Sequence, residues 1–190
     1  SSLIRLSDNE ELEISKFKSK RRNTLRKGLK SVKIETVIDN VTYQEIIDNY
    51  IQFAKYNKFK SINIQSLNKW WQHSSDKLNL KTPNINIYRA YLPENPHETL
   101  GAIGIVSYLE TSLYLFGYST GFGRTYHVNS VLLWFSIKEA IRKSHSTFDL
   151  GGLGVDTPSG IRKFKEGLNG NPYSLPGEYL CILNFVDSVS

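Results

Sequence analysis

Apolar and polar residues alternate along this chain with two different periods, and the two periods predict its elements in turn. A period near 3.6 residues is typical of helices, whereas a period of two residues is typical of half-buried strands. Strands are predicted over residues 32–38, 85–92, 100–109, 112–119, 148–150 and 178–186. Helices are predicted over residues 7–29 with a break near Ser15, and over 42–54, 67–78, 127–143 and 159–168. Because helices and antiparallel strands are mixed without a repeated βαβ unit, the pattern indicates an α/β (α+β) domain.

The length of 190 residues fits one domain over residues 1–190. A chain of this size buries enough surface to fold without disulfides or structural metals. The single cysteine, Cys181, lies in an apolar run and is expected to be a small core residue. The four histidines are scattered without zinc spacing, so no metal site is predicted. Methionine is absent even at position 1, and we expect a piece of a longer or tandem-domain protein.

The hydropathy of the chain points away from a membrane-spanning protein. No apolar run approaches the roughly 18 residues that a membrane helix needs. The first residues also lack the charged and then apolar pattern of a secretory leader. We therefore expect a soluble protein in the cytoplasm, and the sequence says nothing about its oligomeric state.

The net charge of +6 is concentrated near the N-terminus. Residues 16–33 contain nine Lys or Arg residues and no acid. Such a block indicates either a polyanionic partner or a solvated helix face. An apolar stripe through the block predicts a docked helix, and it consists of Phe17, Leu25 and Leu29. Arg22 and Arg26 lie one turn apart and are candidates for binding a diphosphate or the phosphates of tRNA.

The stretch from Phe148 to Gly154 carries the clearest chemical signal. A short apolar strand ends in the carboxylate of Asp149 and is followed by Gly151 and Gly152, which allow a sharp turn and a close approach to a ligand. A basic helix follows and contains Arg162, Lys163 and Lys165. Strand, glycine turn and basic helix together predict a site for a negatively charged or carbonyl-bearing group.

A second glycine-containing loop, residues 120–127, precedes the long helix. It contains Gly121, Gly123 and Arg124. One interpretation is a flexible turn between a strand and a helix. The other is a phosphate site, in which backbone N–H groups at the helix start bind the anion and Arg124 adds a charged donor.

Five stretches, taken in order, resemble the Fem-type (FemABX-like) aminoacyl and acyl transferases, a branch of the GNAT acyltransferase fold. They read KRRNTLRK, LFGYS, YHVNSVLLW, FDLGG and GIRKFK, and they begin at residues 20, 115, 126, 148 and 160. The resemblance implies a mostly antiparallel, twisted sheet with flanking helices. It also implies that the strands near 112–120 and 146–152 splay apart into a V-shaped cleft.

The resemblance also implies an activity. Members of this family transfer amino acids from aminoacyl-tRNA to the peptide of peptidoglycan precursors, or acylate other small cell-envelope and metabolic substrates. The implied donor is therefore aminoacyl-tRNA or acyl-CoA, the acceptor is an amine, and no cofactor is tightly bound. Acetyl-CoA-dependent GNAT enzymes usually carry a Gln/Arg-x-x-Gly-x-Gly/Ala loop, and the loop at 120–127 departs from that spacing. The alternative function is a non-catalytic nucleic-acid-binding or interaction module that uses the basic helix.

Lys165 is the first catalytic candidate, because the matching Phe-Lys pair of Fem-type enzymes lies beside the acyl donor. An ammonium group next to a carbonyl stabilises the oxyanion that forms when an amine attacks. Phe164 would then form a wall of the site. The alternatives are an exposed helix lysine and a plain core phenylalanine.

Other candidates surround the same region. Asp149 can accept a proton from the attacking amine, it can orient Lys165, or it can cap the turn by accepting hydrogen bonds from backbone N–H groups. His127, at the start of the long helix, is a candidate base, since a helix N-terminus favours the neutral imidazole. Further substrate-binding candidates are Tyr118, Asn129, Gly151 and Gly152.

Overall fold

The computed structural model describes residues 1–73, 83–153, 157 and 159–174. Its strands are β1 (Ser2–Arg5), β2 (Lys33–Thr36), β3 (Asn84–Tyr91), β4 (Gly101–Tyr108), β5 (Thr111–Ser119), β6 (Thr147–Asp149) and β7 (Asn171–Pro172). Its helices are α1 (Glu10–Ser15), α2 (Ser19–Gly28), α3 (Asn40–Tyr56), α4 (Ile64–His73), α5 (Gly121–Thr125), α6 (Val128–Arg142) and α7 (Ser159–Glu166). The predicted mixed α+β class is confirmed.

The strands form one sheet in the order β2-β3-β4-β5-β6-β1-β7. All neighbours are antiparallel except β5 and β6, which run parallel. The parallel pair follows from the chain path, because the long helix α6 carries the chain from the end of β5 back to the start of β6. One parallel junction therefore lies inside an otherwise antiparallel sheet.

The parallel junction is short, and the sheet opens beyond it. Only three residue pairs join β5 to β6, and the last of them is Leu113 with Asp149. Strand β5 continues to Ser119, whereas β6 ends at Asp149 and the chain turns at Gly151 with a φ of +72°. The predicted splaying of these two strands is confirmed, and it leaves a cleft along the second half of β5.

Helices cover both faces of the sheet and define two core clusters. Helices α2 and α6 pack on one face, where Leu25, Val131 and Phe148 are buried. Helices α3 and α4 pack on the other face, where Ile46, Leu67 and Phe116 are buried. Within the described residues, no helix is long and apolar enough to cross a bilayer.

The ends of the chain differ most from the prediction. Strands β1 and β7 were not predicted from the pattern, and β1 pairs with both β6 and β7. The predicted N-terminal helix is two helices, α1 and α2, which agrees with the break expected near Ser15. Asn9 caps α1 by accepting hydrogen bonds from the backbone N–H groups of Glu11 and Leu12. The predicted strand at 178–186, Cys181 and residues 74–78 of the predicted fourth helix lie outside the described residues.

Candidate active site

A cavity of about 340 Å³ lies where the sheet opens. It is bordered by the free half of β5, the start of α6, and helices α2 and α7. Its polar and aromatic walls include Arg21, Tyr114, Arg124, Asn129, Phe164 and Lys165. A volume of this order is sufficient for a small substrate or for the reacting end of a larger one.

Lys165 is buried on the wall of this cavity, with 6% of its surface exposed. Its Nζ donates to the carbonyl of Gly152 at 3.0 Å and lies 5.1 Å from the centre of the Tyr114 ring. Burial lowers the pKa of Lys165 to about 8, and the charge of Asp149 opposes part of that decrease. The side chain is therefore an ammonium group at neutral pH, poorly solvated and adjacent to open space.

The phase of helix α7 determines this placement. Ile161, Phe164 and Lys165 turn toward the cavity, whereas Lys163 is exposed on another face. The spacing from Ile161 to Lys165 and on to Leu168 is that of one helix face, so Lys165 lies in the apolar stripe. The structure thus brings the predicted Phe-Lys pair to the cleft, with Lys165 buried and Phe164 partly buried.

Asp149 holds the glycine turn beside the cavity. Its Oδ1 accepts a hydrogen bond from the backbone N–H of Gly151 at 2.8 Å, and its Oδ2 accepts one from the Tyr173 hydroxyl. A Cβ at Gly151 would lie 3.1 Å from the carbonyl oxygen of Tyr114, and the positive φ also favours glycine there. Both oxygens of Asp149 therefore have hydrogen-bond partners, and the bond from Gly151 is the capping arrangement considered from the sequence.

Tyr114 is a site residue that the sequence pattern did not reveal. A bulge in β5 opposes Gly104 to Phe116 and Ile105 to Tyr114, which leaves Leu115 as an extra residue. The bulge changes the alternation of side chains, so the Tyr114 hydroxyl reaches over Gly117. A Cβ at Gly117 would lie only 2.5 Å from that hydroxyl oxygen.

Arg21 is the second residue that sequence reasoning missed. Its guanidinium lies over the Phe164 ring, 4.5 Å from the ring centre, and its Nη1 donates to Ser130 Oγ at 3.4 Å. A signal was present in the sequence, because Arg21 is four residues from both Phe17 and Leu25 and so belongs to the buried stripe of α2.

The predicted pair Arg22 and Arg26 is divided by the structure. Arg22 donates from Nη1 to the carbonyl oxygens of Ser15, at 3.0 Å, and of Phe17. It thereby satisfies backbone acceptors where α1 ends and α2 begins. Arg26 is exposed. The expectation that both arginines share an exposed face does not hold for Arg22.

Of the remaining candidates, some line the cavity and others do not. Arg124 and Asn129 line the cavity. His127 precedes α6 in the left-handed conformation, with a φ of 59°, and is not among the lining residues. Tyr118 is buried in the cluster beneath α3, where burial raises the pKa of its hydroxyl.

The loop at 120–127 is a structured turn. Thr120 caps α5, since its Oγ1 accepts a hydrogen bond from the Gly123 N–H at 2.9 Å. A Cβ at Gly123 would lie 2.2 Å from the carbonyl oxygen of Leu100, so that glycine is required by packing against the start of β4. Among the described residues, no group of three or more His, Cys, Asp or Glu side chains is placed to hold a metal ion.

The sheet order and the splayed strands define a GNAT-like fold. FemX has this fold, with a TM-score of 0.74 and 13% identity over 89% of this chain and 58% of the FemX chain. The C-terminal domain of an Agrobacterium fabrum protein assigned as a lysylphosphatidylglycerol synthetase matches with a TM-score of 0.58 and 11% identity, over 90% of this chain and 56% of that one.

These likenesses confirm the GNAT-like fold and, at the level of fold, the resemblance to Fem-type enzymes. The chain spans less than two thirds of the length of either structure. No family model matches the sequence, and no curated protein matches it.

Proposed function

We propose that this protein is an acyltransferase that moves an acyl or aminoacyl group from an activated donor to an amine. The observation that carries the proposal is Lys165, a cation buried on the wall of a cavity at the splayed strands of a GNAT-like sheet. A buried cation beside open space costs stability in the folded protein, and titratable groups with such perturbed environments cluster at functional sites. Acyl transfer develops a negative charge on the carbonyl oxygen, which this cation would stabilise.

In the proposed reaction the amine nitrogen attacks the ester or thioester carbonyl and forms the new C–N bond. The carbonyl oxygen becomes an oxyanion, which the Lys165 ammonium stabilises. Collapse of this intermediate breaks the bond to the donor and expels a ribose hydroxyl oxygen or the CoA sulfur. The proton lost by the amine goes to that leaving group, directly or through solvent.

Neighbouring groups keep Lys165 in place for this role. The Gly152 carbonyl accepts one of its protons at 3.0 Å, and the Tyr114 ring lies beneath it. Asp149 contributes through its charge and by holding the turn that presents Gly152. We assign Asp149 to positioning, and we assign no general base.

We propose aminoacyl-tRNA or acyl-CoA as the donor and an amine of a cell-envelope precursor or another small molecule as the acceptor. Two observations support this range. The basic helix α2 borders the cavity through Arg21, which suits a donor that carries phosphates. The name of the Agrobacterium neighbour describes synthesis of an aminoacylated phospholipid, which supports an aminoacyl group and a cell-envelope acceptor, although phosphatidylglycerol carries hydroxyl groups and no amine.

A thermal-shift titration tests the donor. The protein is titrated with acetyl-CoA, with a longer acyl-CoA and with a non-hydrolysable aminoacyl-tRNA 3′-end analogue. A ligand at 100 times its Kd adds about 2.7 kcal/mol to the free energy of unfolding. Stabilisation by the tRNA analogue alone supports an aminoacyl transferase, and stabilisation by acetyl-CoA alone supports an N-acetyltransferase. Absence of any shift with all donors contradicts the proposal.

A nucleic-acid-binding module is the second candidate. The exposed cations of α2 favour it, Arg26 among them. Against it, Arg22 is bonded to the backbone and Arg21 is turned into the cavity. Charge reversal at Arg26 should weaken binding of RNA and reduce its salt dependence if that face binds phosphates. Unchanged binding would show that this face of α2 is solvated and does not bind phosphates.

A further inference from the structure

Three cations line the cavity and none of them forms an ion pair among the described residues, although the charge of Asp149 acts on Lys165. Arg21, Arg124 and Lys165 are all lining residues, and no Asp or Glu is among the residues that line it in the described part of the chain. The described ion pairs use other cations, namely Lys16, Arg89, Lys138 and Arg142. A partly buried charge without a counterion costs free energy, so this arrangement is suited to a ligand that supplies negative charge.

Arg21 is held in a fixed orientation. Phe164 supports the face of its guanidinium, with 4.5 Å between the guanidinium carbon and the ring centre. The backbone N–H of Lys18 donates to the carbonyl of Gly167 at 3.1 Å, which docks the start of α2 on the end of α7. The absence of a side chain at Gly167 makes room, since a Cβ there would lie 3.1 Å from Arg21 Nε.

The hydrogen-bonding capacity of Arg21 is largely unused. Its Nε is buried and has no hydrogen-bond partner among the described residues. Its bond to Ser130 Oγ is long, at 3.4 Å. A guanidinium that is stacked on one face and keeps unused N–H donors can still bond to an oxygen of a carboxylate or phosphate.

We propose that Arg21, with Arg124, binds an anionic group of the substrate, a carboxylate or a phosphate, inside the cavity. Lys165 lies against Tyr114 and Gly152, whereas Arg21 lies against Phe164 and Ser130, so the two cations occupy different walls. One wall thus serves the reacting carbonyl and the other fixes the anion. Anion binding itself does not depend on the proposed acyl transfer. Only the statement that the anion belongs to a substrate rests on that proposed function.

Isothermal titration calorimetry at low salt tests the site with two small probes, inorganic pyrophosphate and succinate. The variants are Arg21→Gln, Arg21→Lys and Arg124→Gln. The charge-matched control is Lys55→Gln, since Lys55 is an exposed lysine of α3. We expect Arg21→Gln to weaken binding about 10- to 100-fold, as is typical for a lost hydrogen bond to a charged group. Arg21→Lys should recover part of it, because the charge returns without the fork. Tighter binding of pyrophosphate or of succinate identifies the anion as a phosphate or a carboxylate.

Three outcomes overturn the inference. They are absence of binding of both probes to the unmodified protein, equal affinities for Arg21→Gln and Lys55→Gln, and unchanged affinity in Arg124→Gln. Since Arg124 is exposed, its variant keeps the test decisive even where Arg21→Gln fails to fold.

The assay also separates this inference from the proposed function, because anion binding requires no acyl transfer. Arg21-dependent binding in a protein without transfer activity would refute the function alone. Active transfer with Arg21-independent binding would refute the anion site alone.

Discussion

Replacing Lys165 by Met should stabilise the protein while removing its function. Folding lowers the pKa of Lys165 from 10.5 to about 8, chiefly because the ammonium loses solvent. That difference corresponds to about 3 kcal/mol by which the charged side chain destabilises the folded state. Met keeps most of the side-chain volume without the charge. We therefore expect the variant to be at least as stable as the parent at pH 7, with a gain of up to about 3 kcal/mol.

The pH dependence follows from the same pKa. Below pH 8 both folded and unfolded chains keep the proton, so the full cost is present. Between pH 8 and 10.5 the unfolded chain binds more protons, so the free energy of unfolding of the parent rises with pH relative to the variant. The advantage of Lys165→Met should therefore disappear as the pH approaches 10.5.

Urea unfolding of parent and variant across this pH range measures the difference directly. Lys163→Met is the matched control, since Lys163 is exposed on the same helix and its replacement should change stability by less than about 0.5 kcal/mol. A loss of stability in Lys165→Met at pH 7, constant with pH, would show that the lysine is a structural residue and would refute the reasoning.

Three further predictions concern the site and its turns. Oxyanion stabilisation needs the protonated Lys165, so the kcat/KM of the parent divided by that of Lys165→Ala should fall as the pH rises through about 8. A ratio that rises with pH would indicate that Lys165 acts as a base instead. Gly151→Ala forces a Cβ onto a residue with a φ of +72°, so chemical denaturation should show a loss of about 1–3 kcal/mol, and an unchanged midpoint would contradict the strained turn. Gly123→Ala places a Cβ 2.2 Å from the Leu100 carbonyl oxygen, so the Tm should decrease by several degrees. Gly160→Ala is the matched control, since a Cβ at Gly160 meets open space, and its Tm should stay unchanged.

Local periodicity was sufficient to predict the middle of the fold. Strands β3, β4 and β5 and helix α6 carry clear periods of two or 3.6 residues, and the structure places them close to the predicted bounds. Strand β1 was missed because it has only four residues and its partners, β6 and β7, lie more than 140 positions away. Pairing over such a distance leaves no local pattern in either segment.

The site was predictable in part. The Phe-Lys pair lines the cavity as the sequence indicated. Asp149, Gly151 and Gly152 are not among the lining residues, and the glycine turn reaches the site through the bond from Lys165 to the Gly152 carbonyl. The bulge that turns Tyr114 toward the cavity was not predictable, because it depends on how β4 and β5 register. Arg21 was passed over for Arg22, since charge alone does not reveal which arginine of a basic helix occupies its buried stripe.

The most direct test of the central claim is the transfer rate of Lys165→Ala, measured with the donor that binds and a primary-amine acceptor. If the ammonium stabilises the oxyanion, kcat and kcat/KM should both fall about 100- to 1000-fold. Lys165→Arg should recover part of the rate, and Lys163→Ala should retain the parental rate. Equal and small effects at Lys163 and Lys165 would contradict a catalytic role for the buried lysine and, with it, the proposed acyl transfer.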